Sequence, residues 1–121
     1  MTSLSLIVLR CADLDASRTF YTYLGLSFET EQHGNGPVHY SAQQGELVLE
    51  LYPGKPDSAP EKTQAGSIMH GFLVESLDEV LASLQKLGVE IVRPPSDSAW
   101  GRYALVLDPD GRVVQLTQGR R

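Results

Sequence analysis

The sequence has little cysteine, no excess of basic charge and no long apolar run. Cys11 is the single cysteine among 121 residues, which excludes an intrachain disulfide and a disulfide-stapled secreted fold. Ten Lys and Arg against fifteen Asp and Glu give a formal net charge of -5, so no basic face is expected for nucleic acid or anionic lipid. The apolar run 4–9 is too short to span a bilayer and lacks the flanking features of a signal peptide. We therefore expect a soluble, cytoplasmic protein.

The length and the apolar content indicate a single folded domain. A chain of 121 residues matches the usual size of one domain. Its hydrophobic fraction of 41% is ordinary for a globular protein and argues against intrinsic disorder.

An internal repeat is the most informative feature of the sequence. Leu14-Asp15 begins a segment that closes with Leu24-Gly25-Leu26, and Leu77-Asp78 begins a similar one that closes with Leu87-Gly88-Val89. Near the end of each half, Glu50-Leu51 corresponds to Gln115-Leu116. We interpret the chain as two homologous modules, roughly 1–57 and 66–121. The linker 58–65 follows a segment rich in Pro, Gly and Ser.

Each module reads as a strand, a helix and three further strands. Helical spacing of apolar residues, an Asp at the start and a Gly at the end predict a first helix that begins near Asp13 or Asp15 and stops at Gly25. The second helix is predicted over 77–87. The predicted strands are 4–11, 27–32, 38–42, 46–52, 68–74, 89–93, 103–107 and 113–118. We predict an α+β fold of two tandem βαβββ modules that form a cleft-bearing pair of sheets.

Strand alternation predicts which side chains face that cleft. In the strand 46–52 one face is leucine-rich and is expected to pack under the helix, so the other face lines the cleft. Matching this phase through the repeat places His70 toward the helix layer. The residues on the cleft side are Leu4, Leu6, Val8, Arg10, Glu46, Val48, Glu50, Tyr52, Met69, Gly71, Leu73, Val113, Gln115 and Thr117.

Glu50 is the acid predicted near the centre of the cleft, beside its repeat counterpart Gln115. A buried carboxylate has to be paired, hydrogen-bonded, metal-bound or protonated. Glu50 is therefore the candidate catalytic residue, as a general base. The alternative is a solvated side chain in an open groove, or a partner of a nearby arginine.

The sequence resembles the vicinal oxygen chelate superfamily, which includes glyoxalase I, bleomycin-resistance proteins and extradiol dioxygenases. The resemblance covers nearly the whole chain and implies paired βαβββ modules, as the repeat does. It is carried by the segments Leu9-Arg10-Cys11-Ala12-Asp13-Leu14-Asp15-Ala16-Ser17, Phe20-Tyr21, Leu24-Gly25-Leu26, Trp100-Gly101-Arg102 and Asp108-Pro109-Asp110-Gly111-Arg112-Val113-Val114-Gln115-Leu116.

The resemblance also implies where a metal would be bound. The ligand positions of metal-dependent members correspond to Leu6, Glu50, Met69 and Gln115. Only Glu50 keeps a usual ligand type, so no metal and no other cofactor is expected. A one-residue slip of the fifth strand would bring His70 to the ligand position and restore a divalent metal site, but it would also turn Phe72 and its neighbours out of the core.

Further residues are candidates for contact with a small molecule. His39 is either a cleft donor or a structural histidine, and Trp100 is either a stacking surface or an anchor for its loop. Arg102 or Arg10 either neutralises Glu50 or binds an acidic ligand. The alternative is that both are ordinary surface charges. Asp108-Pro109-Asp110-Gly111 is interpreted as a turn. The predicted ligand-binding set is Leu6, Val8, His39, Tyr52, Met69, Trp100, Arg102 and Gln115.

Three functions remain open. The first is a metal-free member of the superfamily, a homodimer that binds an antibiotic or a metabolite in a partly apolar cleft; metal-dependent glyoxalase I activity is not expected. The second is a lyase, isomerase or dioxygenase that uses Glu50 as a base or as its sole retained metal ligand. The third is a dimeric or regulatory domain with no small-molecule role.

Overall fold

The computed structural model describes residues 2–54 and 68–119, and the predicted linker 58–65 lies outside them. Ten elements follow in the predicted order. They are β1 (Leu6–Cys11), α1 (Leu14–Tyr23), β2 (Glu29–Glu31), β3 (His39–Gln44), β4 (Leu47–Pro53), β5 (His70–Val74), α2 (Leu77–Lys86), β6 (Ile91–Ser98), β7 (Gly101–Leu107) and β8 (Val113–Gln118).

The strands form two four-stranded sheets with the same topology. The first has the strand order β1-β4-β3-β2 and the second β5-β8-β7-β6. In each sheet the strand before the helix pairs in parallel with the last strand of its module: Val8 is opposite Glu50, and Gly71 is opposite Gln115. The two matched pairs confirm the α+β fold of tandem βαβββ modules and the register that the repeat predicted.

Local sequence explains where both helices begin and end. The Asp13 side chain accepts a hydrogen bond from the Ala16 N–H (3.0 Å), and the Ser76 hydroxyl accepts one from the Glu79 N–H (3.2 Å). Gly25 follows the end of α1 with a φ of 113°, a conformation that L side chains rarely adopt. Neither described helix is long and apolar enough to cross a membrane.

The core lies between the sheets and the helices. Phe20 and Tyr21 of α1 are fully buried, as are Leu77 and Leu84 of α2. Beneath them lie the inward-facing residues of the strands, which are Leu9, Cys11, Ala42, Leu49, Leu51, Val74, Ala104, Val106, Val114 and Leu116. Alternate residues of each strand are thereby covered, and the opposite faces of both sheets stay outside this core.

β6 is longer than predicted. The Pro94-Pro95 pair was expected to end it at Arg93, yet the strand continues to Ser98. Proline has no N–H to give to a ladder, so it is tolerated at an edge or at a bulge. β6 is the edge strand of its sheet, and its pairing with β7 shifts register between Arg93 and Ser96, where the two prolines lie.

Candidate functional site

The open face of each sheet is the face not covered by a helix. On the first sheet it carries Leu6, Val8, Arg10, Val48, Glu50 and Tyr52, as alternation predicted. On the second it carries Leu73, Gln115 and Thr117. No segment among residues 2–54 and 68–119 closes these faces, because Leu6 is 50% exposed, Met69 just before β5 is 56% exposed and Leu73 is 77% exposed.

Glu50 lies at the middle of the first open face. Its neighbours on the adjacent strands are Val8 of β1 and Ser41 of β3. The side chain is half-buried. A carboxylate beside an apolar strand and a single hydroxyl residue is available to a bound molecule that offers a hydrogen-bond donor or a positive charge.

An aromatic and acidic row crosses the same face toward the β2–β3 loop. Arg10 lies over the ring of Tyr52, 5.1 Å from its centroid. The Tyr52 ring stacks on His39 with centroids 4.0 Å apart. His39 Nε2 lies 3.2 Å from a carboxylate oxygen of Glu31, and the same oxygen is 3.6 Å from Nε2 of His33. The predicted ligand-binding residues Tyr52 and His39 therefore lie together.

Gln115 occupies on the second sheet the place that Glu50 has on the first. Its amide nitrogen lies 3.3 Å from the Thr117 hydroxyl. Opposite it is Gly71, where a Cβ atom would come within 3.1 Å of the Gln115 carbonyl oxygen. The absence of a side chain at Gly71 thus leaves the surface beside Gln115 open.

Trp100 lies in the tight turn between β6 and β7. Its ring centroid is 6.1 Å from that of Tyr103, a residue of the second open face. Arg102, by contrast, faces the helix layer, as the buried Ala104 two residues further on does, and its guanidinium pairs with Asp78 of α2 (3.1 Å). The prediction that Arg102 lines the cleft beside Glu50 is therefore wrong, because alternation along β7 turns its side chain to the helix side.

The four positions that bind metal in relatives do not carry a matching set of donors. Leu6 has no ligand atom, and the Met69 thioether is a soft ligand that does not suit oxygen-bound divalent ions. His70 does not replace Met69, because it is paired with Val114 in the predicted register and faces the helix layer. Glu50 and Gln115 alone fall short of the three protein ligands that a catalytic site needs.

A buried polar network joins the two modules on the helix side of the sheets. The hydroxyl of Tyr21 on α1 donates to Asp108 (2.7 Å) and lies 2.8 Å from His70 Nε2. Since the hydroxyl proton goes to Asp108, His70 donates its Nε2–H to the Tyr21 oxygen. Arg112 donates to Asp108 (3.0 Å) and to the carbonyl of Arg10.

The residues 108–111 were predicted as a turn, without this network. The turn is present, with the Gly111 N–H donating to the Asp108 carbonyl (2.9 Å), but both aspartate side chains point inward. Asp110 accepts from the Ala12 N–H at 3.0 Å and lies 3.5 Å from the Ser17 hydroxyl. The feature of the sequence that indicates such a network is the spacing of Asp108, Asp110 and Arg112 within five residues.

Burial and the charge of Asp108 together shift the pKa values of the groups in this network. It raises the pKa of Tyr21 well above its usual value, and the Asp108 charge acts in the same direction. Burial also lowers the pKa of His70, which the Asp108 charge opposes and the Arg112 charge reinforces. For Arg112, burial alone would lower the pKa, but the Asp108 carboxylate outweighs it and the pKa is raised.

We expect acid to destabilise the protein through His70. Its ordinary pKa is 6.5 and its folded pKa is lower, so the unfolded chain binds the proton first. The stability contributed by neutral His70 is complete above about pH 6.5 and is lost as the pH falls through the folded pKa. Denaturant unfolding from pH 8 to pH 5 should show a steeper decline for the natural chain than for His70→Gln. Equal slopes would contradict this assignment, since both chains keep His33 and His39.

A groove of about 460 Å³ lies on the helix side, between α1 and the end of α2. Phe20, Leu87 and Pro109 are among the residues that line it. Because it is on the opposite side of the sheets from Glu50, it contains none of the predicted ligand-binding residues.

Comparison with known families gives one match over nearly the whole chain. The model of the family described as "Glyoxalase/Bleomycin resistance protein/Dioxygenase superfamily" matches residues 3–116. No curated protein matches the sequence significantly.

Solved structures share the fold over almost their full length. An antibiotic binding protein, TnmS3 from Streptomyces sp. CB03234, has a TM-score of 0.71 at 24% identity, with 99% of this chain and 98% of that chain covered. A glyoxalase/bleomycin resistance protein from the same organism has a TM-score of 0.70 at 27% identity, with 96% and 100% covered. The fosfomycin resistance protein FosX from Listeria monocytogenes has a TM-score of 0.70 at 24% identity, with 99% and 95% covered.

Proposed function

Because this chain belongs to the Glyoxalase/Bleomycin resistance protein/Dioxygenase superfamily, we propose that it is a small-molecule-binding member that acts in the cytoplasm. In this proposal the open faces bind a partly apolar antibiotic or metabolite without chemical conversion. The observation that carries the proposal is the composition of the open faces, where apolar and aromatic side chains lie beside the polar side chains of Glu50 and Gln115.

The proposed cleft is completed by a second copy of the chain. Within the described residues the modules meet on the helix side, through Tyr21, His70 and Asp108, while both open faces are exposed. An exposed apolar face of this kind favours burial against a partner. In a symmetric homodimer, the first sheet of each copy faces the second sheet of the other, which brings Glu50 opposite the partner's Gln115.

The side chains of this cleft define the chemistry of the ligand. Tyr52 and Trp100 offer flat surfaces, and Leu6 and Leu73 offer aliphatic contact. Glu50 places a carboxyl group in the cleft of a protein whose formal net charge is -5. A molecule with an aromatic or aliphatic body and a cationic or hydrogen-bond-donating group fits both features.

Small-molecule binding in this cleft does not depend on a metal at the superfamily's four ligand positions. Leu6 and Met69 remove two of those four ligands, and Glu50 and Gln115 are left. The antibiotic binding protein, the glyoxalase/bleomycin resistance protein and the fosfomycin resistance protein, which are 24–27% identical to this chain, share its fold.

The test is ligand binding followed by the fluorescence of Trp100, the single tryptophan of the sequence. Probes are cationic antibiotics with aromatic groups, bleomycin among them. We expect saturable binding by one class of probe, and an affinity lower by about 10–100-fold in Glu50→Gln, since a hydrogen bond to a charged group contributes about 1.5–3 kcal/mol.

Glu79→Gln is the matched control, because Glu79 is exposed on α2, on the helix side of the sheets, and its loss changes the net charge equally. It should bind as the natural chain does. Mass spectrometry of the recovered probe should show it unchanged. Conversion of the probe that disappears in Glu50→Gln would instead establish the enzymatic alternative, with Glu50 as the base.

A further inference from the structure

Three potential metal ligands converge at the loop between β2 and β3. One imidazole nitrogen of His33, one of His39 and a carboxylate oxygen of Glu31 all lie within 4.8 Å of one another. Glu31 ends β2 and His39 begins β3, so the two strands hold two of the three ligands in register. None of the three residues is one of the four positions that correspond to the metal ligands of the superfamily.

The loop places the third ligand by its own hydrogen bonds. The Gly36 N–H donates to the carbonyl of His33 (2.9 Å), and Gly34 supplies the positive φ of 58° that this tight turn needs. The Gln32 side chain donates to the Gly36 carbonyl (2.9 Å). These hydrogen bonds hold the turn that begins at His33. The His33 ring lies 5.1 Å from the ring of His39, measured between centroids.

His39 is held as metal-binding histidines are held. Its ring is 1% exposed and is stacked on Tyr52, and its Nδ1 lies 3.3 Å from the carbonyl oxygen of Pro37. A metal on Nε2 requires the ring proton on Nδ1, which then donates to that carbonyl and directs the Nε2 lone pair toward the metal. Nε2 lies 3.2 Å from the Glu31 carboxylate, so a cation bound at Nε2 would also contact that oxygen.

We propose that Glu31, His33 and His39 form a binding site for a divalent transition-metal ion of the Zn²⁺ type. Metal–ligand bonds of about 2.0–2.1 Å in tetrahedral geometry place ligand atoms about 3.3–3.4 Å apart. The Glu31 oxygen lies 3.2 Å and 3.6 Å from the two imidazole nitrogens, on either side of that value. Two imidazoles and one carboxylate are ligands that Zn²⁺ accepts, and they leave a fourth position to water.

The test is titration of the chelator-stripped protein with Zn²⁺ alone, followed by calorimetry, and with Co²⁺, whose absorption reports tetrahedral geometry. We expect one ion per chain and weaker binding on acidification, because the imidazoles have to be neutral to bind. His33→Gln is the decisive variant, since the side chain is 73% exposed and its loss should leave the fold and the melting temperature unchanged. We expect its affinity for Zn²⁺ to fall by at least about 10–100-fold.

Two controls separate this site from charge effects and from the positions used by relatives. Glu31→Gln should weaken binding, whereas Glu29→Gln, which removes the same charge from the same face of β2, should bind Zn²⁺ as the natural chain does. Glu50→Gln should also keep its affinity. The proposal is overturned if the natural chain does not bind Zn²⁺, if folded His33→Gln binds it unchanged, or if Glu50→Gln abolishes binding. These readouts use the metal alone and are independent of the proposed small-molecule function.

Discussion

Replacing Asp108 by alanine is expected to lower the free energy of unfolding by about 3–5 kcal/mol, the range for removing one partner of a buried ion pair. The Asp108 side chain is fully buried and accepts hydrogen bonds from the Tyr21 hydroxyl and from the Arg112 guanidinium. It also accepts the backbone N–H groups of Asp110 and Arg112 (2.9 and 3.0 Å). Alanine would leave all four donors without this acceptor, and Arg112 with Asp110 (3.3 Å) as its remaining ionic partner in the network.

This loss would act on both modules at once. Tyr21 belongs to α1 in the first module, and Asp108 and Arg112 belong to the turn before β8 in the second. Since a domain is stable by only about 5–15 kcal/mol in total, we expect the midpoint of denaturant unfolding to fall sharply, or a broader transition in which the modules unfold separately.

Two variants make the expectation specific. Asp108→Asn keeps a side-chain acceptor and should cost less, about 1–3 kcal/mol. Asp97→Ala removes an exposed acid from β6 and should change the free energy of unfolding by no more than about 0.5 kcal/mol. If Asp108→Ala unfolded at the same denaturant concentration as Asp97→Ala, the network would have no structural role.

The features that the sequence predicted correctly are those that rest on a regular spacing of residues, either the internal repeat or the alternation along a strand. The repeat predicted that Val8 corresponds to Gly71 and that Glu50 corresponds to Gln115. Strand pairing agrees, because Val8 lies opposite Glu50 and Gly71 lies opposite Gln115. Alternation in β4 predicted which face is buried, because one slipped residue would turn Leu49 and Leu51 out of the core. His70 was expected to face the helix layer for the same reason, and it does.

The features that sequence did not predict depend on contacts between distant segments. Tyr21 and Asp108 are bonded across 87 positions, and no local pattern specifies that distance. Arg102 was predicted to pair with Glu50 or to hold an acidic ligand, with surface charge as the alternative, and in the structure it pairs with Asp78 of α2. The Glu31, His33 and His39 cluster depends on the β2–β3 pairing, which brings together residues that the sequence separates by a turn.

Replacing Leu73 by aspartate is expected to dissociate the proposed homodimer. Leu73 is the most exposed of the large apolar side chains on the open faces, so the folded monomer should tolerate the change. In the dimer it would face the partner's first sheet, where Leu6 and Val8 offer no group to pair with a carboxylate. The lost apolar burial and the unpaired charge together amount to about 3 kcal/mol or more, which weakens association by about 100-fold or more.

Sedimentation velocity over a range of protein concentrations measures this change directly. The natural chain should remain dimeric at concentrations at which Leu73→Asp is monomeric, and both should give the same far-ultraviolet circular dichroism. Gln85→Asp adds the same charge to the exposed surface of α2 and should remain dimeric. A natural chain that is monomeric throughout, or a Leu73→Asp variant that stays dimeric, would contradict pairing of the open faces.

The same variant links assembly to binding. If the cleft lies between Glu50 of one copy and Gln115 of its partner, a monomer presents each of these side chains on a bare, solvated face. Leu73→Asp should then lose affinity for a ligand that the natural chain binds, although it retains Glu50, and raising the protein concentration should recover part of that affinity by mass action. Binding by the monomer at full affinity would instead place the ligand on one sheet of a single chain.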